Sequence, residues 1–428
     1  MNDEIRKRID AVRRGEIPDG YIVENHQLRP LDWKYEKIGK YLVAHDEYSN
    51  DTERYMLATS SRQGLLPQTD YYNDQRFEET TGGFHVVPEG YVTYRHMSDD
   101  DVFKFNVNDL GAPVLVSPEY PVFTTNAELN QSLLIEYLNG TNEFRSFCRA
   151  QKKGSTRTRM YFSRLGEFMM PIPPIFEQQK IADILAACDR LIALKQNCLE
   201  ELKQLKKTCL AKMFPREGGD VPELRFPGFT APWEQRKVGE FANVLSASRV
   251  HKDEWATEGV PFFRSSDVVS AYKGTPNEKA YITESLYEEL AKSSGKLEQD
   301  DILITGGGSI GIPYIVPNND PLYSKDADLI WIKKSAEHDS RYLYAYFASQ
   351  SFRDYICSIS HVGTIAHYTI EQVKDTPICL PVMTEQKAVG FFFNRLDTLI
   401  TLHQRELEAG QQKKKALMQL LLTGLVRV

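Results

Sequence analysis

The sequence contains little cysteine and no long apolar run. Its six cysteines, in a chain of 428 residues, form no C-x-x-C pair and have no histidine at metal-ligand spacing. Reduced, partly buried thiols are therefore expected rather than a metal site. No apolar stretch approaches the roughly 20 residues that a membrane helix needs, and the charged N-terminal stretch has no apolar signal segment. These absences predict a cytoplasmic protein that holds no metal and crosses no membrane.

The sequence also lacks an excess of basic residues and a complete catalytic motif. The 59 Asp and Glu residues outnumber the 52 Lys and Arg residues, for a net charge of -7, whereas domains that bind nucleic acid usually carry a basic excess. Net charge does not describe local patches, however. We find no acid/base pair, nucleophile motif, G-x-x-x-x-G-K-[ST] loop or His/Cys cluster that would support catalysis.

A helix-like phrase occurs twice in the chain. The stretch from Pro173 reads PPIFEQQKIADILAACDRLIALKQ, and the stretch from Pro381 reads PVMTEQKAVGFFFNRLDTLITLHQ. Pairing residues 177–214 with those 208 positions later gives twelve identities, too many for composition to explain. They include Glu177/Glu385, Gln178/Gln386, Asp189/Asp397, Leu199/Leu407 and Lys206/Lys414. The chain therefore contains an internal duplication.

Both copies predict a long helix with a coiled-coil seam. In the first copy, apolar residues alternate in steps of three and four with only Lys195 interrupting the series. Prolines stand just before each helix and mark where the preceding segment ends. The residues predicted to pack along the seams are Ile181, Ile184, Cys188, Leu191 and Leu202 in the first copy and Val389, Phe392, Leu396 and Leu399 in the second.

A second repeated pattern, W-x-x-x-K-[IV]-G-x-[YF], begins at Trp33 and at Trp233. Each occurrence precedes a stretch of mixed short strands and helices, which predicts an α+β protein with two similar globular domains and a pseudo-two-fold internal repeat. The predicted segments are an N-terminal helical extension (1–27), a first globular domain (28–170), the central repeat helix and linker (171–225), a second globular domain (226–378) and the C-terminal repeat helix (379–428).

The segment from Gly140 to Gly166 is the most basic of the chain. Arginines that alternate with small hydroxyl residues beside a glycine can lie against phosphates and reach base edges; a solvated basic loop is the alternative. The candidates for DNA contacts are Lys152, Lys153, Ser155, Thr156, Arg157 and Arg159. The corresponding segment of the second domain is nearly uncharged and offers His361, Thr364, His367 and Tyr368. If the two segments share a role, the domains should recognise different sequences.

Other polar loops follow predicted strands and add Arg62, Gln63, Arg95, Ser265 and Ser266 as candidate contacts, although each of these loops taken singly is more typical of ordinary surface. A G-x-G-x-x-G match at 306–311 resembles a dinucleotide or S-adenosylmethionine fingerprint, which would make the chain a DNA methyltransferase. Pro313 and the β-branched residues around it favour a strand instead of the helix that should hold the phosphates. A strand-loop-strand close to DNA, with Gly307 as a contact, is the preferred interpretation.

Taken together, these residues resemble the specificity subunits of type I restriction-modification systems. The resemblance is carried by the paired P-x-x-x-EQ helices at Pro173/Glu177/Gln178 and Pro381/Glu385/Gln386 and by the two tryptophan patterns. It implies two target-recognition domains that each read half of a bipartite DNA sequence, separated by the two repeat helices, which pack antiparallel as a coiled-coil spacer. It also implies a non-catalytic chain that binds double-stranded DNA, two methyltransferase subunits and, through them, ATP-dependent restriction subunits. S-adenosylmethionine is expected on the methyltransferase partner, with no cofactor bound directly to this chain.

The extension before Trp33 departs from the resemblance, and its helix-like EIRKRIDAVRRG is expected to pack near the ends of the repeat helices. Two other classes of function stay open. One is a methyltransferase that uses the Gly306–Gly311 loop, and the other is a coiled-coil scaffold without DNA affinity.

Overall fold

The structure, a computed structural model, describes residues 3–24, 27–71, 83–152, 157–325, 328–359 and 367–428. The chain forms two compact units, residues 1–194 with 408–428 and residues 195–407. Each unit holds one mixed globular domain together with part of both repeat helices, so the fold is α+β, as predicted. The division falls within the repeat helices, whereas the sequence analysis gave each repeat helix a segment of its own.

The globular part of the first unit is built from short strands and helices. Its strands are β1 (Tyr21–Glu24), β2 (Gln27–Pro30), β3 (Lys34–Lys37), β4 (Leu42–Ala44), β5 (Tyr48–Ser49), β6 (Met56–Ser61), β7 (Gly64–Pro67), β8 (Phe84–Val87), β9 (Val92–Tyr94), β10 (Met97–Ser98), β11 (Phe105–Val107), β12 (Val114–Val116), β13 (Val122–Thr125), β14 (Thr158–Arg159) and β15 (Met169–Ile172). Its helices are α1 (Asp3–Arg13), α2 (Gln68–Tyr71), α3 (Gln131–Gly140), α4 (Asn142–Ala150) and α5 (Phe162–Leu165).

Two sheets organise this domain. Four antiparallel strands lie in the order β11-β9-β13-β4, and five strands lie in the order β5-β8-β12-β6-β7, in which β12 and β6 are parallel. The main core of the unit packs aromatic residues of the first sheet, such as Tyr94, Phe105 and Phe123, against α3 and α4. Residues of both repeat helices, including Ile181 and Leu421, complete that core.

The second unit uses the same kinds of elements. Its strands are β16 (Glu234–Lys237), β17 (Val244–Leu245), β18 (Trp255–Ala256), β19 (Val260–Phe263), β20 (Ala280–Ile282), β21 (Ile302–Thr305), β22 (Pro313–Ile315), β23 (Tyr323–Ser324), β24 (Leu329–Ile332) and β25 (Pro377–Leu380). Its helices are α7 (Val238–Phe241), α8 (Ser265–Lys273), α9 (Glu284–Ser294), α10 (Ser340–Ala348), α11 (Gln350–Ile359) and α12 (Ile370–Asp375). The sheets have the orders β17-β24-β21-β22 and β18-β20-β19-β23.

The tryptophan pattern has the same structural role in both units. The strand after Trp33 pairs antiparallel with β15, and the strand after Trp233 pairs antiparallel with β25, so that the start and the end of each globular domain meet. The pattern's glycine permits a close approach: a Cβ on Gly39 would lie 2.8 Å from the carbonyl oxygen of Gly166, and one on Gly239 would lie 2.8 Å from the Cβ of Lys374. Any larger residue would push these segments apart.

The two repeat segments form the predicted long helices, α6 (Ile175–Lys212) and α13 (Met383–Leu422). Within each unit the two helices run antiparallel, because residues later in α6 contact residues earlier in α13. In the first unit the Lys414 amine lies 2.6 Å from Asp189. In the second unit the Lys206 amine lies 2.5 Å from Asp397, which is the same pair of residue types 208 positions away.

Most of the residues predicted for the seam are at least partly buried. Ile181, Val389 and Leu396 are buried, and Ile184, Leu202 and Phe392 are partly buried against the cores. Cys188 and Leu399 are partly buried as well. The prediction for Leu191 is wrong, because its side chain is 54% exposed.

The buried positions follow a heptad of different phase. They include Ile181, Leu185 and Leu199 on α6, matched on α13 by Val389, Phe393 and Leu407. The polar residue Lys195 belongs to this seam, where its amine lies 2.6 Å from Glu406. Counting from Ile181 in alternating steps of four and three residues passes through these α6 positions. The predicted series alternates steps of three and four instead, and therefore selects Leu191, which lies off the seam.

The N-terminal helix α1 forms as predicted. After it, the Tyr21 hydroxyl donates a hydrogen bond to the carbonyl oxygen of Gly424, just beyond the end of α13. A Cβ on Gly424 would lie 2.5 Å from Pro30, so this approach requires glycine. All six cysteines are free, with Cys148 and Cys209 buried and Cys357 exposed. No helix in the described ranges is long and apolar enough to cross a membrane.

Candidate nucleic-acid interface

A polar cleft of about 450 Å³ opens on the first globular domain. It lies between the β6-β7 hairpin and the segment that follows β9. Its lining includes Ser60, Ser61, Arg62, Gln63, Tyr71, Arg95, His96, Asp99, Lys104, Glu119 and Tyr120. Three of the predicted contacts, Arg62, Gln63 and Arg95, therefore come together in one place, although they are up to 33 positions apart in the sequence.

The hairpin places two of these side chains at its tip. Strands β6 and β7 pair so that Ser61 lies opposite Gly64, which leaves Arg62 and Gln63 as a two-residue turn. The Ser61 hydroxyl donates to the Gly64 carbonyl oxygen at 2.9 Å and accepts from the Gln63 N–H at 3.1 Å. Gly64 has φ of 140°, a conformation that favours glycine. A locally fixed turn thus holds two exposed polar side chains at the edge of the cleft.

The basic segment reaches the same cleft by strand pairing. Met97 lies opposite Arg159 and Ser98 lies opposite Thr158 in the antiparallel pair β10-β14. Arg159 is exposed, Thr158 is buried, and Lys152 lies at the end of α4. The remaining predicted contacts of this segment, Lys153, Ser155 and Thr156, lie outside the described residues.

Three consecutive aspartates, which the sequence analysis did not select, meet this basic group. Arg157 Nε lies 2.6 Å from Asp99 Oδ1, and Arg62 Nη2 lies 2.5 Å from Asp100 Oδ1. Asp101 accepts a hydrogen bond from the Thr158 hydroxyl and lies 3.9 Å from the Lys152 amine. The turn Asp99–Asp101 therefore contacts two candidate arginines and a candidate lysine. The signal was the run SDDD directly after the predicted loop at Arg95 and His96.

Hydrogen bonds within this turn favour the ionised form of Asp100. The hydrogen bond from Arg62 lowers the pKa of Asp100 to about 2, and further hydrogen bonds from Ser98 and Val102 act in the same direction. Asp101 has φ of 62°, one of two positive values at non-glycine residues within the described ranges. Such backbone strain is characteristic of functional sites.

His96 forms part of the floor of the cleft. The residue is 7% exposed, and its ring stacks on Tyr161 with 6.0 Å between the ring centroids. Burial lowers the pKa of His96 below its ordinary value, and the nearby Glu119 only partly offsets that effect. A neutral imidazole at the base of the cleft can donate or accept a hydrogen bond toward a base edge, whereas a charged one would only donate.

The predicted contacts of the second unit are less concentrated. Ser265 begins α8 and donates its hydroxyl proton to the Asp328 carbonyl oxygen at 2.9 Å, so it is engaged by the backbone. Ser266 is exposed and accepts a hydrogen bond from Asn277 at 3.2 Å. Just before them, Arg264 Nε lies 2.9 Å from Asp267 Oδ2. The acid-arginine pairing of the first unit thus has a counterpart here.

The glycine-rich loop joins two antiparallel strands, β21 and β22. A strand-loop-strand is the preferred structure of the sequence analysis, and the methyltransferase alternative loses its basis because no helix follows the loop to hold a phosphate. The prediction of Gly307 as a DNA contact is wrong, because this residue is buried and a Cβ on it would lie 3.0 Å from Asp328. Gly308 and Ser309 are the exposed residues of the loop.

The prediction of Tyr368 as a DNA contact is also wrong. Its side chain is fully buried, its N–H donates to the Gly306 carbonyl oxygen at 2.6 Å, and its hydroxyl bonds to Thr376. Although Tyr368 lies beside a polar loop in the sequence, its aromatic ring belongs to the hydrophobic core. His367 is exposed and bridges to Gly307. His361 and Thr364 lie outside the described residues.

Comparison with known proteins gives one family. The model of the type I restriction modification DNA specificity domain matches residues 106–204 and 231–409, which is more than half of the chain. The chain is 26% identical, over a 430-residue alignment, to the type I restriction enzyme MjaVIII specificity subunit of Methanocaldococcus jannaschii, covering 95% of this chain and 96% of that one. A putative type I restriction enzyme specificity subunit of Haemophilus influenzae is 25% identical over 274 residues, covering 64% of this chain and 66% of that one.

Solved structures share the fold. The crystal structure of a type I restriction-modification S subunit from M. genitalium superposes with a TM-score of 0.56 at 14% identity, covering 94% of this chain and 97% of that one. A chain from a structural study of assembly and conformational transition in the type I restriction-modification system gives a TM-score of 0.52 at 13% identity, covering 93% of this chain and 99% of that one.

Proposed function

The chain belongs to the type I restriction-modification DNA specificity family, and we propose that it reads a bipartite DNA target with one half-site for each globular domain. The observation that carries the proposal is the cleft of the first unit, which Arg62, Gln63 and Arg95 line and beside which Arg157 of the basic segment contacts Asp99. Residues 28–170 read one half-site and residues 226–378 read the other.

The chemistry of the cleft suits base recognition. A guanidinium group donates two parallel hydrogen bonds to the O6 and N7 atoms of guanine, and the amide of glutamine makes the corresponding pair with adenine. Arg62, Gln63 and Arg157 offer these groups from exposed positions. Lys104 and Lys152 add positive charge that favours phosphates near the same opening.

The second domain supports a different half-site. The exposed polar groups on its candidate loops are Ser266, Ser309 and His367, whereas the neighbouring Arg264 is only partly exposed and is paired with Asp267. Hydroxyl and imidazole groups make single hydrogen bonds rather than bidentate ones. The bipartite target is therefore asymmetric.

The repeat helices act as a spacer in this proposal. Helix α6 has 38 residues, which corresponds to about 57 Å at 1.5 Å per residue. That length equals roughly 17 base pairs at 3.4 Å each. Helix length would then set the gap between the two half-sites.

Each unit also offers an apolar helix surface for a partner. In the first unit, Leu191 and Leu194 are 54% and 67% exposed. In the second unit, Phe391 and Leu402 are 60% and 49% exposed. Exposed apolar residues grouped on one helix are typical of interaction sites. Two methyltransferase subunits, one for each unit, are the proposed occupants. They carry S-adenosylmethionine, perform the catalysis and connect to the restriction subunits in the full complex, while this chain binds no cofactor itself.

Selection from random-sequence DNA duplexes tests the proposal. The chain, purified together with the methyltransferase subunit encoded beside it, is expected to enrich duplexes with two short conserved blocks at one fixed gap. Enrichment of a single block, or of none, would contradict a bipartite target. Calorimetry of the isolated chain with S-adenosylmethionine tests the methyltransferase alternative. That alternative requires that the isolated chain binds this cofactor and gives a measurable heat of binding.

A further inference from the structure

We propose that Asp99 and Asp100 are positioning residues that orient Arg157 and Arg62 for base recognition, and so help to determine which first half-site is read. This inference rests on the proposed function of the first domain. It assigns a specificity role to acidic residues in a site that otherwise needs positive charge.

The turn that carries the two aspartates is held independently of the two arginines. Asp100 Oδ1 accepts from the Ser98 hydroxyl at 2.9 Å and from the Val102 N–H at 3.4 Å. The next residue, Asp101, is tied to Thr158 and takes a positive φ that fixes the direction of the turn. A carboxylate held in this way can direct the flexible side chain of an arginine.

Stability does not explain these pairs. All four partners are exposed, with side-chain exposures of 65% for Arg62, 47% for Asp100, 55% for Arg157 and 68% for Asp99. Ion pairs between solvent-exposed side chains contribute little to folding stability. The aspartates also weaken the attraction for phosphates, because each one cancels a positive charge near the DNA. Their presence at the cleft is therefore best explained by an effect on orientation.

The geometry of Arg157 fits that effect. Asp99 engages the Nε atom, which lies on the edge of the guanidinium group, while a bidentate contact to guanine can use the two terminal nitrogens. Fixing Nε limits rotation of the group and reduces the conformational entropy that is lost when the base contact forms. Asp100 engages Arg62 through the terminal Nη2 atom instead, so a bidentate base contact of Arg62 would use its other N–H groups.

The test uses Asp99→Asn and Asp100→Asn in the complex with the methyltransferase subunit. Asp109→Asn is the matched control, because Asp109 is exposed, carries the same charge and is not the ion-pair partner of Arg62 or Arg157. Binding is measured on the selected duplex, on duplexes changed in either half-site and on random duplexes. We expect discrimination at the first half-site to fall about tenfold, with discrimination at the second half-site unchanged. Affinity for random duplexes should rise with a steeper salt dependence, and the control should show neither effect.

Unchanged discrimination at the first half-site in both aspartate variants would overturn the inference, and so would an equal loss at both half-sites. Retained reading of the second half-site shows that each variant is folded. If the wild-type complex itself shows no dependence on two half-sites, the proposed function fails instead. The two failures are therefore distinguishable.

Discussion

Arg427 donates hydrogen bonds to both carboxylate oxygens of the buried Glu177, at 2.7 Å from Nε and 2.9 Å from Nη2. Arg225 does the same to Glu385 in the second unit, at 2.6 and 2.7 Å. The two glutamates are 208 positions apart and belong to the duplicated P-x-x-x-EQ phrase. In the first unit Trp33 also donates its indole N–H to Glu177 at 3.0 Å. The glutamate of the phrase thus joins a repeat helix to the entrance of its globular domain.

Arg427→Ala should destabilise the first unit. Glu177 is 1% exposed, so the variant leaves a buried carboxylate with only the Trp33 indole as a described partner. Breaking a buried pair costs about 3–5 kcal/mol, and the partial exposure of Arg427 reduces that to about 2–3 kcal/mol. Urea unfolding measures the loss in the free energy of unfolding, and amide hydrogen exchange shows which unit is affected. Arg216→Ala, at an 83% exposed side chain, is the control, and an equal effect of the two variants would refute this role.

Arg62→Ala and Arg157→Ala should each relax the first half-site alone. Loss of a base contact costs about 1–3 kcal/mol of discrimination at the position it reads. Competition binding with duplexes altered base by base measures the change, and Arg145→Ala, on the exposed face of α4, is the control. Uniform weakening on every duplex would instead make these arginines phosphate contacts.

Removing one heptad from each repeat helix, residues 192–198 and 400–406, should shorten the preferred gap. Seven residues span about 10 Å, which corresponds to about 3 base pairs. Because both deletions keep the heptad phase, the seam can re-form, whereas a deletion from one helix alone should destabilise the pair. Selection on random duplexes measures the gap. An unchanged gap in a folded double-deletion variant would remove the spacer role.

Stability of the second unit should fall as the pH drops below the ordinary pKa of histidine. Burial lowers the pKa of His338 to about 4 from its usual 6.5, and its Nδ1 atom lies 2.9 Å from the Ser335 hydroxyl. The unfolded chain then binds more protons below pH 6.5 than the folded chain does, so protonation favours unfolding. The loss between pH 7 and pH 5 should be about 1–2 kcal/mol. Urea unfolding at both pH values checks this, and His338→Gln should flatten the dependence; an equal slope in that variant would refute the assignment.

The sequence alone predicts the duplicated helices because twelve identities at one offset define them. It does not predict the seam phase, because the two possible series from Ile181 share Cys188 and Lys195 and both carry apolar residues where they differ, Ile184 or Leu185 and Leu191 or Ile192. In the sequence, a charged residue that is paired with a residue of another helix looks like an interruption of the apolar pattern.

The candidate interface is predictable by residue type and only partly by position. Arg62, Arg95 and Arg157 were selected for their chemistry, and the pairing of β10 with β14 shows how the basic segment reaches the cleft. That pairing is long-range and leaves no local signal. Gly307 and Tyr368 have polar neighbours in the sequence, but Gly307 is buried beside Asp328, and Tyr368 is buried with its hydroxyl bonded to Thr376.

The most direct test of the central claim is to co-express the chain with its neighbouring methyltransferase subunit and map methylated adenines across the genome. The account predicts one two-part motif with a fixed gap, whose first half alone changes when Arg157 is replaced. A continuous motif, or a two-part motif in which both halves change together, would contradict the assignment of one half-site to each domain.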